Sequence, residues 1–119
     1  MSIESHDFIN LANKLLNDKG YKDNEATFRT IISRAYYGCF LYLIPKLGLN
    51  YTTYLRKHKQ GEIHQKVIDT LKDRDPTSGS FLESLRRSRN KSDYFPGEDV
   101  LIVEVTASLS LAHQIISSF

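Results

Sequence analysis

The stretch Asn24–Pro45 limits the fold more than any other part of this chain. Phe28, Ile31, Ile32, Ala35, Cys39, Tyr42 and Leu43 recur at helical spacing, and Tyr36, Tyr37, Phe40 and Leu41 widen the stripe until most sides are apolar. A helix apolar nearly all round has to be surrounded by other elements. The spacing therefore predicts a central, buried helix with amphipathic partners packed about it.

Glycine and proline are sparse, so the breaks they mark are informative. Gly20 closes a first segment, Ser5–Lys19, with Phe8, Leu11, Ala12, Leu15 and Leu16 on one face. Pro45 and Gly48 close the second, and Gly61 precedes a third, Glu62–Leu71, carrying Ile63, Val67, Ile68 and Leu71. Asp75-Pro76-Thr77-Ser78-Gly79-Ser80 reads as the clearest loop. A fourth segment, Ser80–Ser92, carries Phe81, Leu82 and Leu85 before turning basic. Pro96-Gly97 precedes the fifth, Glu98–Ser117, with Leu101, Val105, Leu109, Ala112 and Ile116. Its β-branched opening, Val100–Val103, has strand character, but the stripe continues for about four turns, and Glu98 and Asp99 suit a helix N-terminus. Gly48–Gln60 is polar and reads as a loop or an excursion. The expected fold is all-α: one domain, residues 1–119, built as an antiparallel up-and-down bundle of four to five helices.

With 119 residues there is material for one core. Apolar residues make up 40% and charged residues 25%, which argues against global disorder. No apolar run approaches the roughly 18 residues of a membrane span, so no membrane partner is expected. Met1–Asp7 shows no basic region followed by an apolar one, and Cys39 is the single cysteine, so no internal disulfide forms. These features lead to the expectation of a cytoplasmic protein. The net charge of +2 is too even to imply nucleic acid by itself. Position is more telling: Arg86, Arg87, Arg89 and Lys91 crowd one stretch, and Arg56, Lys57, His58 and Lys59 another.

There is no Gly-rich phosphate loop and no two-His zinc pattern, and one cysteine with scattered histidines builds no structural zinc site. Neither metal nor cofactor is expected. The stretch Leu85–Tyr94 stands apart. At about 100° per residue, Arg86, Arg89, Asn90 and Asp93 share one helix face. Arginine is the side chain best shaped to grip phosphate in a bidentate manner, and Asp93, four residues on, is placed to orient Arg89. The same face also reads as a solvated surface held by an Arg–Asp pair.

Arg34-Ala35-Tyr36-Tyr37, then His64, then Arg89-Asn90-Lys91-Ser92-Asp93-Tyr94 form an ordered set that resembles the HEPN (higher eukaryotes and prokaryotes nucleotide-binding) superfamily, in its small stand-alone prokaryotic branch. The resemblance covers nearly the whole chain. It implies a bundle of four or five helices and a homodimer. It also implies RNA or a nucleotide as ligand, and metal-independent endoribonuclease activity in a toxin–antitoxin or defence setting. A small nucleotidyltransferase is the implied protein partner, and in some relatives it modifies a tyrosine beside the motif, here Tyr94. The family motif joins an Arg, a polar residue and a His about five residues after the Arg. Carried over, Arg89 is the Arg and Asn90 the polar residue, both holding the scissile phosphate; Asp93 orients Arg89; Arg86, Arg87, Lys91 and Arg34 attract the RNA backbone.

The departure is Tyr94, which stands where the family has His. Histidine, with a pKa of about 6.5, can both take and give a proton near neutrality, whereas roughly one tyrosine in a thousand is ionised at pH 7. Losing the base costs about 10²–10⁴ in rate. A competing reading is a non-catalytic HEPN module that binds a nucleotide, an RNA or a nucleotidyltransferase. A third is a purely structural bundle.

On an ideal helix five residues rotate about 140°, so Arg89 and Tyr94 are expected on one face only if the helix breaks between them, with Pro96 near enough to end it at Asp93 or Tyr94. Arg34 reads as a bridge to Asp93 or Glu83, or as a phosphate ligand. Tyr36 and Tyr37 read as core or dimer packing with hydroxyls at a cleft edge, and Cys39 as core. His64 reads as a cap or satisfied half-buried histidine, or as the missing base if it faces the arginines. Tyr51, Tyr54, Arg56, Lys57 and Lys59 interleave aromatic and basic groups as single-strand RNA binders do, or form a solvated loop.

Overall fold

In a computed structural model that describes residues 5–17, 24–56 and 59–119, six helices and no strand occur among the described residues. They are α1 (Ser5–Asn17), α2 (Glu25–Lys46), α3 (Tyr51–Leu55), α4 (Gln60–Arg74), α5 (Pro76–Tyr94) and α6 (Ile102–Ser117). The apolar wrap of α2 does what it predicts. Ile31, Ile32, Ala35, Tyr36, Cys39, Phe40 and Leu43 are buried, and α1, α5 and α6 pack directly on α2. Ile9 and Ala12 of α1, Ile63, Val67, Ile68 and Leu71 of α4, Leu82 and Leu85 of α5, and Val105, Leu109, Ala112 and Ile115 of α6 complete one core.

Paired residues give the helix directions. His6 meets the Tyr42 ring and Phe8 lies under Arg34, so α1 runs against α2. Tyr37 meets Arg89 while Arg29 meets Ser92, so α5 also runs against α2. Lys72 pairs with Glu83 and Gln65 with Arg86, which makes α4 antiparallel to α5. Cys39 Sγ reaches the Ala112 carbonyl at 3.4 Å while the Val100 N–H donates to Glu25 at 2.7 Å, so α6 runs alongside α2. The result is an all-α bundle.

Its ends follow local chemistry, and here the boundaries depart from expectation. Asp75–Ser80 is not a loop. Asp75 caps α5, accepting from the Ser78 N–H at 3.2 Å and the Ser78 hydroxyl at 2.9 Å, and these bonds hold its carboxyl below the usual range. Pro76 occupies the first turn, where its missing N–H costs nothing. A single residue, Asp75, thus joins α4 to α5. The excursion Gly48–Gln60 contains the short α3, and Tyr51 and Tyr54 pack on the core rather than lying in a solvated loop; Lys57 and His58 lie outside the described residues. Helix α6 starts at Ile102, not Glu98, since Glu25 holds the preceding backbone extended. Pro45 sits inside the last turn of α2, which ends in a Schellman turn: Gly48 adopts φ 73° and Leu49 donates to the Ile44 carbonyl.

At Gly79, α5 lies directly against the α4 backbone. A Cβ there would lie 2.8 Å from Lys72 Cα and 2.9 Å from Lys72 N, both backbone, whereas Gly61 has open space. Gly79→Ala should lower stability by about 1–3 kcal/mol, while Gly61→Ala leaves the urea midpoint unchanged or slightly raised. Equal midpoints for the two variants would contradict the close contact.

Candidate functional site

The inward stripe of α5 reads Ser78, Leu82, Leu85, Arg89, Ser92. Arg89 therefore takes a position where the two preceding turns place leucine, and it is only 8% exposed. A guanidinium there needs partners from its surroundings. Arg89 Nη1 donates to Asn90 Oδ1 at 3.1 Å, and Nη2 donates to the Tyr37 hydroxyl. Nε lies 2.9 Å from Asp93 Oδ2 as an ion pair, but its N–H points off the oxygen and finds no aligned acceptor. Ser33 donates to the same Asp93 oxygen at 3.2 Å, drawing the carboxylate toward α2. The guanidinium also lies over three rings: Tyr37 at 4.8 Å, Tyr94 at 5.2 Å and Tyr36 at 5.8 Å.

A cleft of about 200 Å³ opens at this point, lined by Tyr37, Gly61, His64, Arg89 and Tyr94. Arg86 borders it, donating to Gln65 Oε1 at 3.2 Å and the Gly61 carbonyl at 3.5 Å. His64 faces the arginines, as one reading of the sequence required. Its ring stacks on Phe40 with centroids 4.3 Å apart, and its Nδ1 lies 2.6 Å from the Tyr36 hydroxyl. Burial, then Arg86 and Arg89, push its pKa down to about 4, so it is neutral at pH 7. Burial raises the Tyr36 phenol well above its ordinary value, so it keeps its proton.

Arg89 and Tyr94 meet with no break between them, and the helix ends at Tyr94, one of the two endings expected. Helix α5 runs unbroken to Tyr94, and Phe95 caps it ahead of Pro96. Two long side chains close the angular gap that an ideal helix leaves between them. Tyr94 itself is 61% exposed. Asn90 and Asp93 join Arg89 as expected. Arg87 and Lys91 do not join the cleft: Arg87 pairs with Glu83 at 3.6 Å and Lys91 with Glu104 at 2.6 Å. Among the described residues Arg34 makes no ion pair with Asp93 or Glu83. Its guanidinium lies 5.7 Å from the Phe8 ring centroid, and it lines a second cleft of about 370 Å³ with Arg29, Ser33, Ser92 and Asp93. Cys39 is buried as expected, and burial raises its thiol to about 12.

Arg29 was not legible as part of this region. It donates to the carbonyls of Lys91 (3.1 Å), Ser92 (3.0 Å), Phe95 (3.3 Å) and Glu98, and so ties down the end of α5 and the turn that carries Tyr94. The available signal was Arg29, Ser33 and Tyr37 at four-residue intervals, a polar line on an otherwise apolar helix. Among the described residues no group of His, Cys, Asp and Glu is arranged to hold a metal ion, and no helix is long and apolar enough to cross a membrane.

His64 gives the site a pH signature. Its folded pKa lies below the unfolded value of about 6.5, so the unfolded chain binds the extra proton. The stability it contributes is present above pH 6.5 and is lost as pH falls toward 4, by up to roughly 3 kcal/mol. Urea unfolding at pH 7 and pH 5 should show this loss, and His64→Gln should remove most of it; an unaltered pH slope in the variant would contradict a buried neutral imidazole.

Compared with known proteins, the chain matches no family model, no curated protein and no solved structure, so the functional reading rests on the geometry of this cleft and on the motif residues that line it.

Proposed function

We propose that this chain is an RNA-directed HEPN-like protein whose α2–α4–α5 cleft binds a backbone phosphate. One observation carries the reading: Arg89, His64, Tyr37 and Tyr94 converge on a single small opening, with Arg86 at its edge. A buried arginine is a poor choice for stability alone, because an apolar residue of similar size often does as well or better. Its place on a leucine stripe makes sense where a fixed cation has a ligand. Arg89 and Arg86 supply the charge, Asn90 and Asp93 hold Arg89, and the exposed Tyr94 ring offers a surface for a base.

Binding without cleavage is the form of this reading that the geometry favours. Tyr94 stands where the family has its histidine, and His64, the one histidine lining the cleft among the described residues, has Nδ1 engaged by Tyr36. His64, with its affinity for a proton lowered by burial, is a poor base near neutrality.

The test uses labelled single-stranded RNA with chelator present. The wild-type chain should bind it, more weakly as salt rises, and leave it intact. Arg86→Gln and Tyr94→Ala, both near the surface, should weaken binding about tenfold. Arg89→Met should abolish binding; because it also leaves Asp93 without its cation, it should cost about 1–3 kcal/mol of stability, a loss that Arg89→Met with Asp93→Leu should largely restore without restoring binding. Chelator-resistant cleavage that Arg89→Met removes would restore the nuclease reading. Absence of RNA binding would leave a structural bundle.

The proposal includes a homodimer. Phe95, Leu101, Ile102 and Val103 follow Tyr94 in the chain and are exposed, Val103 to 66%, and three consecutive exposed apolar residues, Leu101–Val103, mark an association face. Sedimentation should give a dimer for the wild-type chain and a monomer for Val103→Lys; a monomeric wild type would remove the dimer from the proposal.

A further inference from the structure

We infer that Tyr36 is a positioning residue that fixes His64 as a hydrogen-bond donor of the cleft, so that the cleft admits acceptor groups, ionised phosphate oxygens above all. This rests on the reading of the cleft as a phosphate site.

The argument starts from the Tyr36 hydroxyl, which belongs to a fully buried side chain. Deep in the core it keeps its hydrogen, and that hydrogen needs an acceptor. His64 Nδ1, 2.6 Å away, is the acceptor the fold provides. The reverse arrangement, with Nδ1–H donating to the phenol oxygen, would leave the hydroxyl hydrogen buried with nowhere to go. Nδ1 is therefore unprotonated. A second proton on the imidazole is opposed by Arg86 and Arg89 of α5, while α2 presents only neutral groups, Tyr36, Tyr37 and Phe40. A neutral imidazole with a bare Nδ1 carries its hydrogen on Nε2. The stack of His64 on Phe40 and Tyr36 holds the ring against rotation.

The remaining polar groups around the opening point the same way. Arginine only donates. The Tyr37 hydroxyl oxygen and Asn90 Oδ1 are both occupied in accepting from Arg89. A ligand atom entering among Arg86, Arg89 and His64 thus meets donors. A phosphate oxygen meets all three as an acceptor.

Nitrogen-15 NMR of the full chain reads the tautomer directly, and inorganic phosphate is the probe of the cleft. At pH 7 the wild-type His64 should carry its hydrogen on Nε2, and phosphate should shift its ring signals. Tyr36→Phe removes one buried oxygen and keeps the ring. It should retain the fold, move His64 toward the Nδ1–H form and weaken phosphate binding about tenfold, the worth of one hydrogen bond to a charged group. His64→Leu, which offers no donor, should weaken phosphate binding to about the same extent as Tyr36→Phe. A purely structural Tyr36 would not change the tautomer. An Nδ1–H wild type, or a Tyr36→Phe chain with unchanged tautomer and affinity, overturns the inference and leaves the phosphate site standing. An Nε2–H wild type that ignores phosphate overturns the phosphate site itself and the ligand inferred here with it.

Discussion

A charged guanidinium in a leucine position is the constraint on which this structure turns. Arg89 follows Leu82 and Leu85 on the inward stripe of α5, so the fold must neutralise it where it would otherwise bury hydrocarbon. Three elements answer. Helix α5 supplies Asn90 from the adjoining position and Asp93 from the next turn, α2 supplies the Tyr37 hydroxyl, and the rings of Tyr36, Tyr37 and Tyr94 present their faces. Ser33 then steadies the Asp93 carboxylate. The polar seam between α2 and α5 is the surrounding of one side chain, and the cleft opens at its edge.

The architecture was largely readable from periodicity. A helix apolar on most sides has to be central, and α2 is. The boundaries were harder, since caps are decided by single hydrogen bonds. Asp75-Pro76 carried a helix-start signature, an N-cap acid before a first-turn proline, yet its Gly and Ser neighbours resembled a loop more strongly. The lead-in to α6 was misplaced because a carboxylate 75 residues away, Glu25, holds Val100.

The candidate site was legible in part for the same reason. Arg89, Asn90, Asp93 and Tyr94 lie within one helical turn and a half, so spacing finds them. The depth of Arg89 was also implicit in the leucines before it. Contacts across helices leave no such trace. Nothing near His64 in the chain points to Tyr36, 28 residues earlier, and nothing near Arg29 points to the carbonyls that end α5. Lys91 likewise carries no sign in the nearby sequence of its partner Glu104 on α6, whereas the Arg87–Glu83 pair, four residues apart on α5, is visible in the spacing.

The one-residue link at Asp75 has a mechanical consequence. Helices α4 and α5 leave it as two long arms, braced near the pivot by Gly79 against Lys72 and by the Lys72–Glu83 pair. His64 lies about 16 Å along one arm and Arg89 about 21 Å along the other, at 1.5 Å of rise per residue. At that radius a splay of about 5° at the pivot moves the tips apart by roughly 1.5 Å, half a hydrogen-bond length. The jaws of the cleft are thus set from the far end of the hairpin, and an inserted residue beside Asp75 would mistune them without touching either jaw.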